Sequence, residues 1–135
     1  MARRSRWAEF IFPSSLQMTS SLESLLEPIG NREISETIQL GLHEALVNAV
    51  RHGNSCDPNK NIRVRFILTP NWFVWQIQDQ GEGIPMNKRG SSLPLKVDAN
   101  DGRGLFLIHH CFDDVRWSSK GNRLQLATRR PTTND

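Results

Sequence analysis

Glu44-Ala45-Leu46-Val47-Asn48-Ala49-Val50-Arg51-His52-Gly53-Asn54 is the stretch from which the fold can be read. Ile34, Ile38, Leu42, Ala45, Leu46 and Ala49 recur at helical spacing and share one broad apolar face, which predicts a helix over about residues 32–52. Gly53-Asn54 is the expected stop. Glu44, Asn48 and His52 are spaced four apart, so a regular helix stacks them along one side. Glu44 and Asn48 fall at the edge of the apolar arc, where a polar group looks into the seam between helix and sheet. Taken alone, this fits an ordinary solvated boundary slightly better than a ligand site.

Downstream of the loop at Asp57-Pro58, Ile62, Val64, Phe66 and Leu68 alternate with Arg63 and Arg65. After a turn at Pro70-Asn71, Phe73, Trp75 and Ile77 alternate with Val74, Gln76 and Gln78. These are two half-buried strands. Residues 81–102 are rich in Gly, Ser, Pro, Asn and charge, and read as a long loop. A helix is expected over about 103–112. A closing hairpin follows, with Val115 and Trp117 in one strand and Leu124, Leu126 and Thr128 in the other. Upstream, Trp7 to Phe12 reads as a first strand near an edge, ending at Pro13, and a helix capped by Ser14 or Ser15 is expected over about 16–28. Trp72, Trp75 and Trp117 are expected to pack within strands. The order predicts an α+β, two-layer sandwich: a mainly antiparallel sheet with helices on one face.

Two further clusters carry chemistry. Asp79-Gln80-Gly81-Glu82-Gly83 follows the third predicted strand, and Asp79 continues its inward face, where an unpaired carboxylate is costly. A donor such as a purine amino group would satisfy it, and the glycines let backbone approach a flat ring. A turn with a capping Asp explains the same residues. Gly102-Arg103-Gly104-Leu105 opens a predicted helix, where free N–H groups and the helix dipole suit phosphate and Arg103 can add a charge-assisted bond. A flexible loop entering a helix explains this too.

The chain has 135 residues, one domain's worth, with 37% hydrophobic and 23% charged residues, a soluble globular composition. Seventeen Lys and Arg against fourteen Asp and Glu give a charge of +3, much of it in Arg3–Arg6 and Arg129–Arg130, read as solvated tails. No nucleic-acid-binding motif or basic stripe is present. No apolar run reaches the length of a membrane span, and no signal core follows Arg3, Arg4 and Arg6, so no membrane partner and a cytoplasmic address are expected. Cys56 and Cys111 make no disulfide framework. His109-His110-Cys111 does not make a metal site, because adjacent helical residues diverge and no matching ligand cluster appears elsewhere in the sequence. The chain lacks a G-x-x-x-x-G-K-[ST] phosphate loop, and its glycines do not fit a G-x-G-x-x-G turn.

Taken together and in this order, the three clusters resemble the boxes of the GHKL (Bergerat, histidine-kinase-like) ATPases, in the form found in anti-sigma-factor serine/threonine kinases. Glu44 to Asn54 resembles the N box, Asp79 to Gly83 the D-x-G-x-G box and Gly102 to Leu105 the G-x-G-L box. The resemblance covers about residues 7–129 of a single expected domain, 1–135. It implies an ATP-binding, cytoplasmic kinase. Asn48 is implied as the Mg²⁺ ligand, Asp79 as the reader of the adenine amino group, and Gly81 and Gly83 as its border. Gly102, Arg103 and Gly104 are implied to hold phosphates, with Leu105 in the same nucleotide-binding box, Arg51 and His52 to have a phosphate-side or supporting role, and a lid is implied over about 84–101. Glu44 is implied as general base for transfer to a Ser/Thr hydroxyl. The implied partners are a STAS-type anti-anti-sigma protein, a sigma factor and a second copy of the chain.

Two other readings share the same nucleotide chemistry. One is a histidine-kinase-type catalytic domain, although none of the four His residues sits in a dimerising helical pair. The other is a non-catalytic, nucleotide-dependent binding module, against which the intact Glu44 weighs.

Overall fold

A computed structural model describes residues 6–17, 22, 26, 36–89 and 100–130, and of residues 100–103 the backbone alone. Five strands form one sheet: β1 (Arg6–Pro13), β2 (Asn61–Leu68), β3 (Trp72–Gln78), β4 (Asp114–Trp117) and β5 (Arg123–Arg129). Their order is β1-β2-β3-β5-β4, and every pairing is antiparallel. Helix α1 (Glu36–Asn48) precedes β2, and helix α2 (Asn100–Cys111) lies between β3 and β4. The expected α+β architecture holds. Most of the helix expected over 16–28 lies outside the described residues, although Leu22 and Leu26 are helical and Leu26 is buried. The beginning of the helix expected over 32–52 and most of the loop after Arg89 lie outside them as well.

Alternation decides which sheet face is covered. Register places Phe66 opposite Trp75, and Trp75 opposite Leu126, so the apolar sets of β2, β3 and β5 share one face. Both helices cover that face: Leu42, Leu46 and Ile108 are fully buried among these strand residues. Trp75 is the hub, with ring centroids 5.5 Å from Phe66 and 5.9 Å from Phe112, which follows α2. Each such side chain contributes roughly 1.5–3 kcal/mol of burial free energy.

The opposite face is mixed: Glu9, Arg63, Arg65 and Gln76 share it with Trp7, Ile11, Ile67 and Val74, and Trp7 and Ile11 are exposed. Glu9 bridges Arg63 and Arg65, each at 3.1 Å, in an exposed cluster of small energetic weight. Arg129 and Arg130 are not solvated tails. Arg129 ends β5 with its guanidinium 5.2 Å from the Trp72 ring centroid. Arg130 lies over Phe73 and donates to the Thr69 carbonyl at 3.0 Å. Aromatic faces next to the last strand attract both cations.

The long helix is not α-helical to its end. After Asn48 the backbone winds into a π turn over Ala49–Gly53, and the Asn54 N–H bonds to the Ala49 carbonyl five residues back at 2.9 Å. A π turn takes in an extra residue, so the face shared by Glu44 and Asn48 does not continue in register to His52; Arg51 and His52 are exposed. The helical run ends at Gly53-Asn54, as expected, but neither residue is left-handed. The left-handed residues follow it, at Ser55 (φ 52°) and Cys56 (φ 57°).

Candidate functional site

Asp79 stands where the alternation of β3 predicts, one step beyond Ile77 on the covered face and half-buried. Its N–H donates to the Asn122 carbonyl at 2.9 Å, which extends the β3–β5 pairing past the last assigned pair. Its Oδ1 accepts the Gly81 N–H at 2.8 Å in a tight local turn. Burial pushes the carboxyl above the usual carboxylate range, against the opposing pull of the Gly81 N–H bond and of the Lys120 and Lys60 charges.

The other carboxylate oxygen, Oδ2, faces Gly53 in the π turn. A Cβ on Gly53 would run into the Asp79 carboxylate, and a Cβ on Gly81 would run into the Gly53 carbonyl. The N box and the D-x-G-x-G box therefore meet backbone to carboxylate, with no room for a side chain between them.

Asn54 locks this junction. It is fully buried, its Nδ2 donates to the Asn61 carbonyl at 3.0 Å and its Oδ1 accepts the Gln80 N–H at 2.7 Å. Gln80 returns the link, its Oε1 accepting the Asn61 N–H at 2.6 Å. One amide thus joins the helix end to the start of β2 and the exit of β3. The sequence marked Asn54 only as part of a helix stop, since nothing in its neighbours signals that its side chain turns inward.

The third cluster approaches from α2. A Cβ on Gly104 would sit 3.3 Å from Glu44 Oε2, so the half-buried Glu44 carboxylate lies directly against the Gly104 backbone. α2 begins at Asn100, earlier than expected, which places Gly102 in its first turn and Gly104 in its second. The side chain of Arg103 lies outside the described residues. Leu105 is buried in the core and anchors this end of α2. Asn48, half-buried, is the last α-helical residue before the π turn, lies one turn beyond Glu44, and makes no side-chain cap bond there.

Gly83 (φ 93°) closes the loop beyond Asp79 against Lys120, in a conformation that disfavours any residue with a Cβ. The Ile84 N–H then bonds to the Gly121 carbonyl at 3.0 Å, joining this loop to the β4–β5 turn. A notch on the uncovered sheet face, lined by Ile11, Arg63 and Gln78, shares Asp79, Asn61 and Gln80 with this arrangement. Among the described residues, no group of three or more His, Cys, Asp and Glu side chains is placed to hold a metal.

The donor set suits a magnesium-bound purine nucleotide. Asp79 offers a partly desolvated acceptor at the end of an apolar strand face. Asn48 adds a hard amide oxygen, of the kind that supplements phosphate and water around magnesium, and Glu44 stands one helical turn before it.

A family model for the histidine kinase-like ATPase domain matches residues 17–128. The chain belongs to that family. It is also similar to proteins named serine-protein kinase RsbW. The one from Oceanobacillus iheyensis is 25% identical over 122 residues, covering 82% of this chain and 77% of the relative. One from Listeria monocytogenes is 28% identical over 91 residues, covering 62% of this chain and 58% of the relative. Among the described residues no helix is long and apolar enough to cross a membrane.

Proposed function

We propose that the chain is an ATP-dependent serine/threonine protein kinase and anti-sigma factor. In this reading it works in the cytoplasm, phosphorylates a STAS-type anti-anti-sigma partner, and regulates transcription by switching between that partner and a sigma factor, as a homodimer. The carrying observation is the meeting of three sequence-distant clusters: Glu44 against Gly104, and Asp79 against Gly53 and Gly81. The similarity to proteins named serine-protein kinases supports the choice of acceptor.

Asp79 accepts the adenine amino group, and Gly81 and Gly83 border the ring. Asn48 holds magnesium, which when bound neutralises phosphate charge. Gly102, Arg103 and Gly104 form the phosphate end, with Leu105 in the same nucleotide-binding box and the exposed Arg51 and His52 on the phosphate side. Glu44 accepts the proton of the attacking Ser or Thr hydroxyl. The hydroxyl oxygen bonds to the γ-phosphorus as the bond to the β–γ bridging oxygen breaks, leaving ADP and a phosphorylated partner. A positioned base contributes roughly a hundred- to ten-thousand-fold in rate, and positioning and charge neutralisation supply the rest.

Incubation with γ-labelled ATP and a candidate STAS-type protein tests this. Label on a partner Ser or Thr is the expected result. Binding without transfer would favour the regulatory module, and label on His the histidine-kinase reading.

A further inference from the structure

Arg89 follows the short 3-10 turn Met86–Lys88 and is half-buried. Its side chain turns back onto the fold. Nε donates to the Ile84 carbonyl at 2.9 Å, Nη1 to the Ser118 carbonyl at 3.3 Å and Nη2 to the Ser119 carbonyl at 3.2 Å. Its own carbonyl lies 2.9 Å from His109 Nε2 and can only accept, so that nitrogen carries the proton. One residue thus joins the loop after Asp79, the β4–β5 turn and helix α2.

The β4–β5 turn leads back to the site. The Gly121 N–H bonds to Ser118 at 2.8 Å, and Gly121 accepts from Ile84 at 3.0 Å. Asn122 then holds Asp79 twice, accepting its N–H at 2.9 Å and donating to its carbonyl at 3.4 Å. Gly121 (φ 85°) has no side chain because a Cβ would strike the Ile84 carbonyl at 2.6 Å and the Arg89 guanidinium.

We infer that Arg89 is a positioning residue: its guanidinium fork, spread over three carbonyls of two loops, fixes where Asp79 stands relative to α2. The inference rests on the nucleotide reading proposed above, since positioning matters only if Asp79 meets a ligand. A planar guanidinium spans three acceptors at once, whereas an ammonium engages them as a point charge. Bonds from a charged donor are also the stronger kind.

The test uses the whole chain and MgATP as probe. Amide exchange is followed without nucleotide at Asp79, Ile84 and Gly121, and ATP affinity is then measured by titration. Arg89→Ala is expected to speed exchange at those amides while the β2–β3 ladder keeps its rates, and to weaken ATP binding by about ten- to a hundredfold. Arg89→Lys is expected to fall between, and carries the same test should the alanine variant not fold. A purely structural role would raise exchange across the ladder as well. Unchanged exchange at the three amides, or faster exchange with unchanged affinity, overturns the assignment of Arg89 alone. Failure of the unaltered protein to bind ATP overturns the nucleotide reading and this inference together.

Discussion

The carboxylate of Asp79 lies so close to the Cα of Gly53 that residue 53 can carry no side chain. Two segments separated by the whole β2–β3 hairpin are thereby brought into contact at one point. That contact generates the first prediction. Gly53→Ala forces Asp79 or the π turn aside, at a cost of about 1–3 kcal/mol typical of overpacking. Denaturant unfolding should register that loss, and ATP titration should register weaker binding.

Asp79→Asn separates folding from ligand recognition. The raised carboxyl means the native state holds its proton more tightly than the unfolded chain. Native Asp79 therefore binds more protons over the interval above the ordinary carboxylate value of 3.8, and its contribution to stability falls as pH rises through that interval. The asparagine variant should lose this slope, remain folded at neutral pH, and bind ATP poorly. Urea midpoints measured from pH 4 upward check the sign; a slope that survives in the variant would assign it to another group.

Asn54→Ala removes both ends of a buried bridge and orphans the Gln80 N–H and the Asn61 carbonyl. Each orphaned group costs roughly 1–3 kcal/mol. Unfolding free energies should show a loss of that size. A variant as stable as the parent would mean that water replaces the amide.

Glu44→Gln preserves the shape beside Gly104 and removes the proposed base. ATP affinity should stay within about threefold while phosphotransfer falls by about a hundred- to ten-thousand-fold. Single-turnover kinetics with a labelled nucleotide give both numbers.

Gly104→Ala sets helix propensity against the site. Alanine favours an α-helix by about 1 kcal/mol over glycine. Its Cβ would nevertheless crowd Glu44 Oε2 at 3.3 Å. The expected variant is at least as stable as the parent and slower in transfer, which calorimetry and the same kinetics can check together.

The parts of this fold legible in the sequence are those governed by period. Alternation in Ile62 to Leu68 and Phe73 to Ile77 located β2 and β3 and aimed Asp79 inward, as the structure has it. Helical spacing located α1 but ran past its α-helical end, because the apolar positions Ala49 and Val50 suit a π turn as well as an α turn, and both are buried. Contacts made by polar side chains to distant backbone were illegible. Asn54 and Arg89 look like ordinary loop residues, and their partners at Gln80, Ser118 and Ser119 lie on segments that meet them only after folding. The stop at Gly53-Asn54 was legible but its reason was not: Gly53 serves as clearance for Asp79, and the left-handed residues, Ser55 and Cys56, come after it.

The five residues Ala49–Gly53 cannot serve two masters. Dropping one of them would let the helix run on with ordinary spacing, and a screen for heat resistance would reward such a shortening. The same shortening would swing residue 53 out from under β3 and open the seam on which Asp79 rests. In this chain the least regular stretch of helix is therefore the stretch where ruggedness and function pull in opposite directions.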